Sequence, residues 1–148
     1  MKKIVSLILC AILMVSLIAC GGAPAETTPS VTVTDGQVVG EGAKSFPLTI
    51  VDKEGNAITI TVNTDKEMVG EALTELGIVE GTMGEYGLYM THVNVIPDIW
   101  EDDGYYWSFY INDEYAMTGV DQTPSPRAKA TSWPPSTSNL KILQTPPL

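Results

Sequence analysis

The residues best suited to chemistry in this chain are aromatic and lie between positions 100 and 115. Each has a flat apolar ring with one polar group, the hydroxyl of tyrosine or the indole N–H of tryptophan. These residues are Trp100, Tyr105, Tyr106, Trp107, Tyr110 and Tyr115. Alternate residues of a strand face opposite sides, so Tyr106 and Tyr110 share one face and Trp107 and Phe109 share the other. We assign Trp107 and Phe109 to the core, which leaves Tyr106 and Tyr110 facing outward.

An outward aromatic surface of this kind favours ligand binding. Aromatic rings with a polar group bind sugars or planar macrocycles by apolar contact. We predict that the binding residues are Tyr106, Tyr110, Trp100 and Tyr89, in a partly exposed groove beside the loop 81–88. The alternative is that these rings only pack across neighbouring strands.

The metal-ligating residue types give no convincing site. Carboxylates follow one another in the loop 97–104 at Asp98, Glu101, Asp102 and Asp103, and such oxygens bind calcium. The alternating spacing of a calcium loop is absent, so we predict a solvated acidic loop. His92 is the single histidine and is predicted to be a strand residue. We therefore predict neither a metal site nor a cofactor.

The chain also lacks a recognisable catalytic arrangement. Of its two cysteines, Cys10 and Cys20, the first lies in a signal-like segment and the second would be acylated, which leaves no thiol for catalysis. No nucleophile elbow is present, and a domain this small rarely builds a cleft between two carboxylates. We predict that the protein is not an enzyme.

The N-terminal segment has the features of a secretion signal. Lys2 and Lys3 precede an apolar run over 4–18 that is as long as a secretory core, and the run ends in Leu17-Ile18-Ala19-Cys20. This sequence resembles the lipobox of bacterial lipoproteins, which implies cleavage before Cys20 and a lipid on its sulfur. An ordinary signal or a single membrane span is the alternative. The predicted location is the cell envelope, lipid-anchored to the membrane on its extracytoplasmic side.

The charge of the chain narrows the choice of partners. The formal net charge is −10, and loss of Lys2 and Lys3 with the signal would make it −12. Nucleic acid requires a basic surface, so we predict no nucleic-acid partner. Acidity is otherwise typical of a soluble domain, and we expect a monomer.

The remaining sequence predicts one α+β domain. Residues 1–19 are the signal and 20–44 a lipidated cysteine with a flexible linker rich in Gly, Pro and Thr; the domain spans 45–124. It begins with alternating strands around Phe46–Val51 and Ile58–Val62. A helix follows, with Thr64 and Glu67 as a capping box and Gly77 at its end. A Gly-rich loop over 81–87 and later strands complete the order β-β-α-β-β-β, one helix against a small mixed sheet.

The segment YYWSFYINDEYAMTGVDQTP resembles the transcobalamin C-terminal-like domain of bacterial surface proteins. The W-x-x-Y-I-N-x-x-Y-A stretch carries the resemblance, with MVGEALTELGI and GLYMTHVNVI in the expected order upstream. The resemblance covers Phe46 to Pro124 and implies a β-grasp-like fold and a binding module. In animal cobalamin carriers a similar domain caps the corrinoid.

The chain departs from this family after Pro124. Members usually continue with a Gly-Asp turn and a final alternating strand, whereas residues 125–148 are rich in proline and serine. We therefore expect the last strand to be missing or replaced by a tail, and a shifted reading frame is our hypothesis for its origin. The alternative is a genuine disordered tail.

The sequence is compatible with three functions. The first is a small-molecule binder with a corrinoid as the leading ligand. The second is an adhesion or assembly module that recognises a surface glycan or a protein. The third is a damaged product that folds poorly because its tail is altered.

Overall fold

The computed structural model describes residues 31–98, 100–126 and 139–146. Cys20, and with it the predicted signal and lipidation site, lies outside these residues. In chain order the described elements are β1 (Val38–Val39), β2 (Lys44–Val51), β3 (Ala57–Thr64), α1 (Val69–Glu75), β4 (Val79–Gly84), β5 (Gly87–Val93), β6 (Ile96–Pro97), α2 (Trp100–Asp103), β7 (Tyr106–Ile111), β8 (Glu114–Tyr115), a 3₁₀ turn (Val120–Gln122) and β9 (Leu140–Thr145). The α+β class is confirmed, with strands predominating.

The main sheet has the order β1-β3-β2-β9-β7-β8. The predicted hairpin of β2 and β3 is confirmed, antiparallel and paired from Lys44↔Thr64 to Val51↔Ala57. Its turn is closed by Asp52, whose carboxylate accepts a hydrogen bond of 2.8 Å from the backbone N–H of Asn56. The alternation of apolar and polar residues fixes this register, because a slip by one residue would expose every buried side chain.

The expectation that the last strand is missing is wrong. Residues Leu140–Thr145 form β9 in the centre of the main sheet, parallel to β2 and antiparallel to β7. Leu140, Ile142 and Gln144 are buried while the residues between them are half-buried. The alternation of this strand covers only six residues and follows a Pro/Ser-rich stretch, so the sequence pattern does not indicate a strand here. The sequence as it stands thus contains this strand, without a shift of the reading frame.

A second, three-stranded sheet has the order β4-β5-β6. It corrects the prediction of a Gly-rich loop over 81–87, because β4 and β5 pair from Val79↔Val93 to Gly84↔Gly87 across a register shift after Glu80. The β4 pattern becomes exposed beyond its first two residues, so its sequence lacks the apolar alternation by which a strand is predicted. The predicted β-grasp-like order is not confirmed.

Helix α1 ends as predicted but begins differently. Gly77 has a φ of 66°, and the N–H groups of Gly77 and Ile78 donate to the carbonyls of Thr74 and Leu73 at 3.0 and 2.9 Å, which is a Schellman motif. The predicted capping box is wrong. The N-cap is Met68, without a side-chain hydrogen bond, and Thr64 is the last residue of β3, where it accepts from the N–H of Lys66.

The core lies where α1 and the small sheet pack against one face of the main sheet. Its fully buried side chains include Phe46, Leu48, Ile60, Leu73, Ile78, Leu140 and Ile142. Trp107 and Phe109 are buried as predicted, whereas Tyr106 and Tyr110 are half-buried.

The segment preceding β1 is attached to the fold. Val33 is 2% exposed, and the side chain of Asn94 accepts from its N–H at 2.7 Å and donates to its carbonyl at 3.1 Å. Val33 and β1 lie in the predicted linker 20–44, and β9 lies in the predicted tail 125–148. The domain boundaries at 45 and 124 stay a prediction, although the main sheet draws on residues on both sides of them.

A candidate ligand-binding groove beside strand β7

A groove of about 480 Å³ opens beside β7. Three segments line it: residues 84–90 of the β4–β5 hairpin, residues 106–109 of β7, and residues 115–120, which begin at the last residue of β8. Its volume lies within the range of roughly 300–1,000 Å³ that small-molecule sites occupy. The lining is mainly aromatic and apolar, so the groove offers contact area rather than charge.

The groove exists because strand pairing on one side of β7 stops early. On the other side, β7 pairs with β9 from Tyr106↔Thr145 to Ile111↔Leu140. On the groove side, β8 pairs only with Tyr110 and Ile111, and Ala116 adds one hydrogen bond of 2.9 Å to the carbonyl of Phe109. The chain then leaves β7 and forms the opposite wall of the groove.

The orientation of the β7 backbone follows from these hydrogen bonds. The N–H of Asn112 donates to Asn139 at 2.8 Å, on the β9 side, so the even-numbered residues of β7 bond to β9. Backbone groups alternate along an antiparallel pair, and the bond between Ala116 and Phe109 confirms that odd-numbered residues point away from β9. The N–H and C=O of Trp107 therefore point to the groove side.

Trp107 combines burial with unsatisfied polar groups. The residue is 5% exposed, and its indole N–H has no hydrogen-bond partner in the structure. Its backbone N–H and C=O also lack a partner among the described residues. Buried polar groups are normally paired with protein, water or a ligand, so this position at the groove calls for an additional partner.

The four predicted binding residues fall at different distances from the groove. Tyr106 and Tyr89 line it. Trp100 does not, but its ring meets that of Tyr106 edge to face at 6.0 Å between centroids. Tyr110 does not line it either, and it packs edge to face at 5.6 Å against Tyr115, which does. The structure thus places two of the four residues in the lining and the other two behind it.

Tyr89 is held in place by the acidic loop. Its hydroxyl donates a hydrogen bond of 2.6 Å to the carboxylate of Asp98. Burial of the phenol, together with this hydrogen bond and the nearby negative charge, raises the pKa of Tyr89 to about 12. The predicted solvated loop therefore contains one carboxylate that orients a groove residue.

Asp121 fixes the two loops that face each other across the groove. Its carboxylate accepts from the N–H of Leu88 at 3.0 Å. It also lies against Gly87 and Gly119, where the carboxylate occupies the space that a Cβ would need. Both glycines line the groove, so Asp121 sets the spacing of its walls.

Sequence reasoning missed several lining residues. Tyr86 and Met117 line the groove and are 87% and 93% exposed. Tyr86 lies in the stretch predicted to be a loop, and Met117 follows β8 in a segment without periodicity. An exposed aromatic residue within a Gly-rich turn was the available signal.

The groove carries no positive charge. Its lining includes the carboxylate of Glu85 but no lysine, arginine or histidine. Every lysine of the described segments is engaged in an ion pair elsewhere, and these pairs are Lys44–Glu67, Lys53–Asp103, Lys66–Glu75 and Lys141–Asp113. A ligand that needs a cation to neutralise it would find none in this lining.

Metal-ligating side chains are dispersed in the part of the chain that the structure covers. Within it, no group of three His, Cys, Asp or Glu side chains could hold a metal ion. His92 is half-buried in β5, with its Nδ1 3.8 Å from a carboxylate oxygen of Glu80. Within the same residues, no helix is both long and apolar enough to cross a membrane.

Comparison with known proteins supports the fold. No family model matches the chain, and no curated protein matches it. A crystal structure of a candidate metal binding protein from Ruminococcus gnavus ATCC 29149 is similar, with a TM-score of 0.61 and 22% identity over 71% of this chain and 99% of that one. Haptocorrin in complex with Cbi aligns with a TM-score of 0.42 and 16% identity, over 72% of this chain and 26% of that one.

Proposed function

We propose that this protein is a non-catalytic binding protein whose groove beside β7 takes a small molecule. The observation that carries the proposal is the buried Trp107 with its unpaired indole and backbone groups at an aromatic groove of about 480 Å³. Apolar walls with a few well-placed polar groups are typical of small-molecule sites. The lining contains no pair of acid and base that would favour a reaction instead.

A corrinoid is the leading ligand of this proposal. It rests on the sequence resemblance to transcobalamin C-terminal-like domains. The groove is open to solvent along its rim, where Tyr86 and Met117 stand exposed, so a planar macrocycle larger than the groove could rest on the rim with one edge inside. Although the Ruminococcus gnavus protein is a candidate metal binding protein, the described residues here assemble no ligand set, and we propose no metal.

A titration with cyanocobalamin tests the corrinoid. The full-length chain in detergent micelles is titrated while tryptophan fluorescence and the melting temperature are followed. We expect saturation and a raised melting temperature, because a ligand that binds only the folded state stabilises it.

Tyr86→Ala should weaken binding without changing the fold, since this side chain is mostly in solvent. The matched control is Val38→Ala, an exposed residue of β1 at the opposite edge of the sheet. Absence of saturation would exclude corrinoids as ligands of the groove.

An adhesion or assembly module is the second candidate. The observation in its favour is the exposure of large apolar side chains around the groove, namely Met83, Tyr86, Tyr115 and Met117. Contiguous exposed apolar surface often marks a contact site for another macromolecule. Capture of a defined protein or glycan that Tyr86→Ala abolishes, with no small-molecule thermal shift, would favour this candidate.

We further propose that the protein is held at the cell envelope by a lipid on Cys20. The support is the sequence Leu17-Ile18-Ala19-Cys20 after an apolar run, and two or more acyl chains are needed for stable anchoring. Mass spectrometry of the protein from its bacterial host should show an N-terminal Cys20 with diacylglyceryl modification. Cys20→Ala should abolish the modification, whereas Cys10→Ala should not. An unmodified mature N-terminus at another position would contradict the anchor.

A further inference from the structure

The unpaired groups of Trp107 have a defined geometry. Its backbone N–H and C=O point to the same side of β7, as they do in every residue of an antiparallel strand, and no strand of the described residues pairs with Trp107 on that side. The next odd-numbered residue, Phe109, has its carbonyl engaged by Ala116 at 2.9 Å. Its N–H has no partner in the described segments. The open edge therefore offers a donor and an acceptor on Trp107 and one more donor on Phe109.

The same molecule contains a filled example of this arrangement. The carboxamide of Asn94 brackets Val33, since its Oδ1 accepts from the Val33 N–H at 2.7 Å and its Nδ2 donates to the Val33 carbonyl at 3.1 Å. Val33 and Asn94 are both buried. One carboxamide is thus sufficient to satisfy both backbone groups of a buried residue that lies outside the sheet.

We infer that the groove recognises an amide of its ligand at Trp107, with the ligand's C=O accepting from the Trp107 N–H and its N–H donating to the Trp107 carbonyl. The inference rests on the proposed function, because it specifies the chemical class of the ligand that enters the groove. The amide belongs either to a primary carboxamide side group or to an extended peptide residue, and the hydrogen-bond pattern is common to both. The uncharged lining around Trp107, with Glu85 as the charged exception, suits a neutral polar group of this kind.

Aromatic side chains beside Trp107 can hold the ligand so that its amide reaches the strand edge. Tyr106 precedes Trp107 and lines the groove, with its ring braced edge to face by Trp100. The ligand's apolar part can lie against these rings while its amide reaches the strand edge. The indole N–H of Trp107 is a further donor without a partner.

The test compares three probes that differ only at the amide: 3-phenylpropanamide, its N,N-dimethyl derivative and the methyl ester. Each is titrated into ¹⁵N-labelled full-length chain in detergent micelles, and backbone and indole N–H signals are followed. We expect 3-phenylpropanamide to shift the Trp107 backbone signal saturably. The other two keep the carbonyl but lack the N–H donor, and we expect them to bind about tenfold more weakly, as the loss of one hydrogen bond implies.

A fourth probe distinguishes the two sources of the amide. Acetyl-alanyl-alanine N-methylamide has main-chain amides but no primary carboxamide. Tighter binding of this peptide than of 3-phenylpropanamide would assign the site to an extended peptide, and the reverse order to a carboxamide side group. Both orders support amide recognition at Trp107.

Variants separate the backbone from the side chain. Trp107→Phe removes the indole N–H and keeps the backbone groups, so discrimination between the amide and its dimethyl derivative should persist. Val38→Ala serves as the control, as above. Binding of all three phenyl probes with equal affinity would overturn the inference while leaving the groove as a binding site. If cyanocobalamin also failed to perturb the lining signals, the proposed function would fall with it.

Discussion

Tyr89 links the binding groove to the acidic loop through a single hydrogen bond. Its ring lines the groove, and its hydroxyl donates to Asp98 at 2.6 Å. The sequence shows a tyrosine in one strand and a carboxylate in the following loop, but not that they meet. Their contact depends on the β5–β6 hairpin, whose turn residues Asn94 and Val95 both have positive φ. Such turns are common at Asn and unusual at a β-branched residue.

The ionisation of Tyr89 provides a direct test of this contact. Because burial and Asp98 raise the pKa of Tyr89 to about 12, its phenol should ionise at higher pH in the folded protein than in the unfolded chain. Its pKa is higher in the folded state than in the unfolded chain, so its stabilising contribution is complete below pH 10 and is lost as the pH rises towards 12. Ultraviolet titration of the phenolate should show one late step that is absent in Tyr89→Phe. A late step that survives this substitution would contradict the assignment.

Asp121 should control ligand binding without touching the ligand's amide. Asp121→Ala removes the acceptor of the Leu88 N–H and should cost about 1–3 kcal/mol of stability, the range for a part-buried donor left unpaired. The walls that contain Gly87 and Gly119 lose their common contact, so affinity for any groove ligand should fall. Chemical denaturation and the probe titrations measure the two effects.

Asp102→Ala is the control for this prediction. Asp102 is exposed in α2, and we expect its substitution to leave both stability and affinity nearly unchanged. Equal effects of the two substitutions would show that Asp121 has no special part in shaping the groove.

At the scale of elements, the β2–β3 hairpin and the end of α1 can be predicted from the sequence, whereas β9 cannot. The β2–β3 hairpin is predictable because eight-residue strands alternate cleanly on either side of an Asp-Lys-Glu-Gly-Asn turn. The end of α1 is equally predictable, since Gly77 precedes an apolar residue that packs back on the core. Strand β9 offers only six residues after a long proline-rich stretch, and its central position depends on parallel pairing with β2. Parallel pairing leaves no turn in the sequence to mark it.

The candidate site was predictable in part for the same reason. The aromatic alternation in β7 assigns Trp107 and Phe109 to the core and Tyr106 to the outward face, because strand period is a local property. In the structure Trp107 and Phe109 are buried and Tyr106 is half-buried. The groove itself depends on where β8 stops pairing and where the β4–β5 hairpin lies. Those are properties of tertiary packing, and no spacing of residues in the chain indicates them.

Substitution within β9 tests its place in the core. Ile142 is fully buried between β2 and β7, and Ile142→Ala should cost about 2–5 kcal/mol of unfolding free energy. Its neighbour Lys141 points to the other face and pairs with the exposed Asp113. Lys141→Ala should cost at most about 1 kcal/mol, as expected of an exposed ion pair. Denaturant unfolding compares the two, and similar costs would place β9 outside the core.

At the scale of the whole molecule, strand β9 joins the two parts of the main sheet. The order β1-β3-β2-β9-β7-β8 places β9 between the N-terminal hairpin and the strand that borders the groove. Without β9, the edges of β2 and β7 would both be unpaired, and unpaired edges within a sheet are costly and prone to aggregation. The groove therefore depends on a strand far from it in sequence.

Truncation tests this dependence. A chain that ends at residue 138 should lose cooperative thermal unfolding, because the two halves of the main sheet would no longer be joined. The full-length chain should melt in one transition. A sharp melt of the truncated chain would mean that β9 is dispensable and that these residues behave as a tail.

The most direct test of the account is to map where small molecules bind on the ¹⁵N-labelled full-length chain. Cyanocobalamin and the amide probes are titrated, and the backbone signals that shift saturably are assigned. We expect them to belong to residues 84–90, 106–109 and 115–120, which line the groove. Saturable shifts confined to another surface, such as the smaller hollow beside Lys66 and Glu75, would contradict it, as would the absence of saturable shifts with every probe.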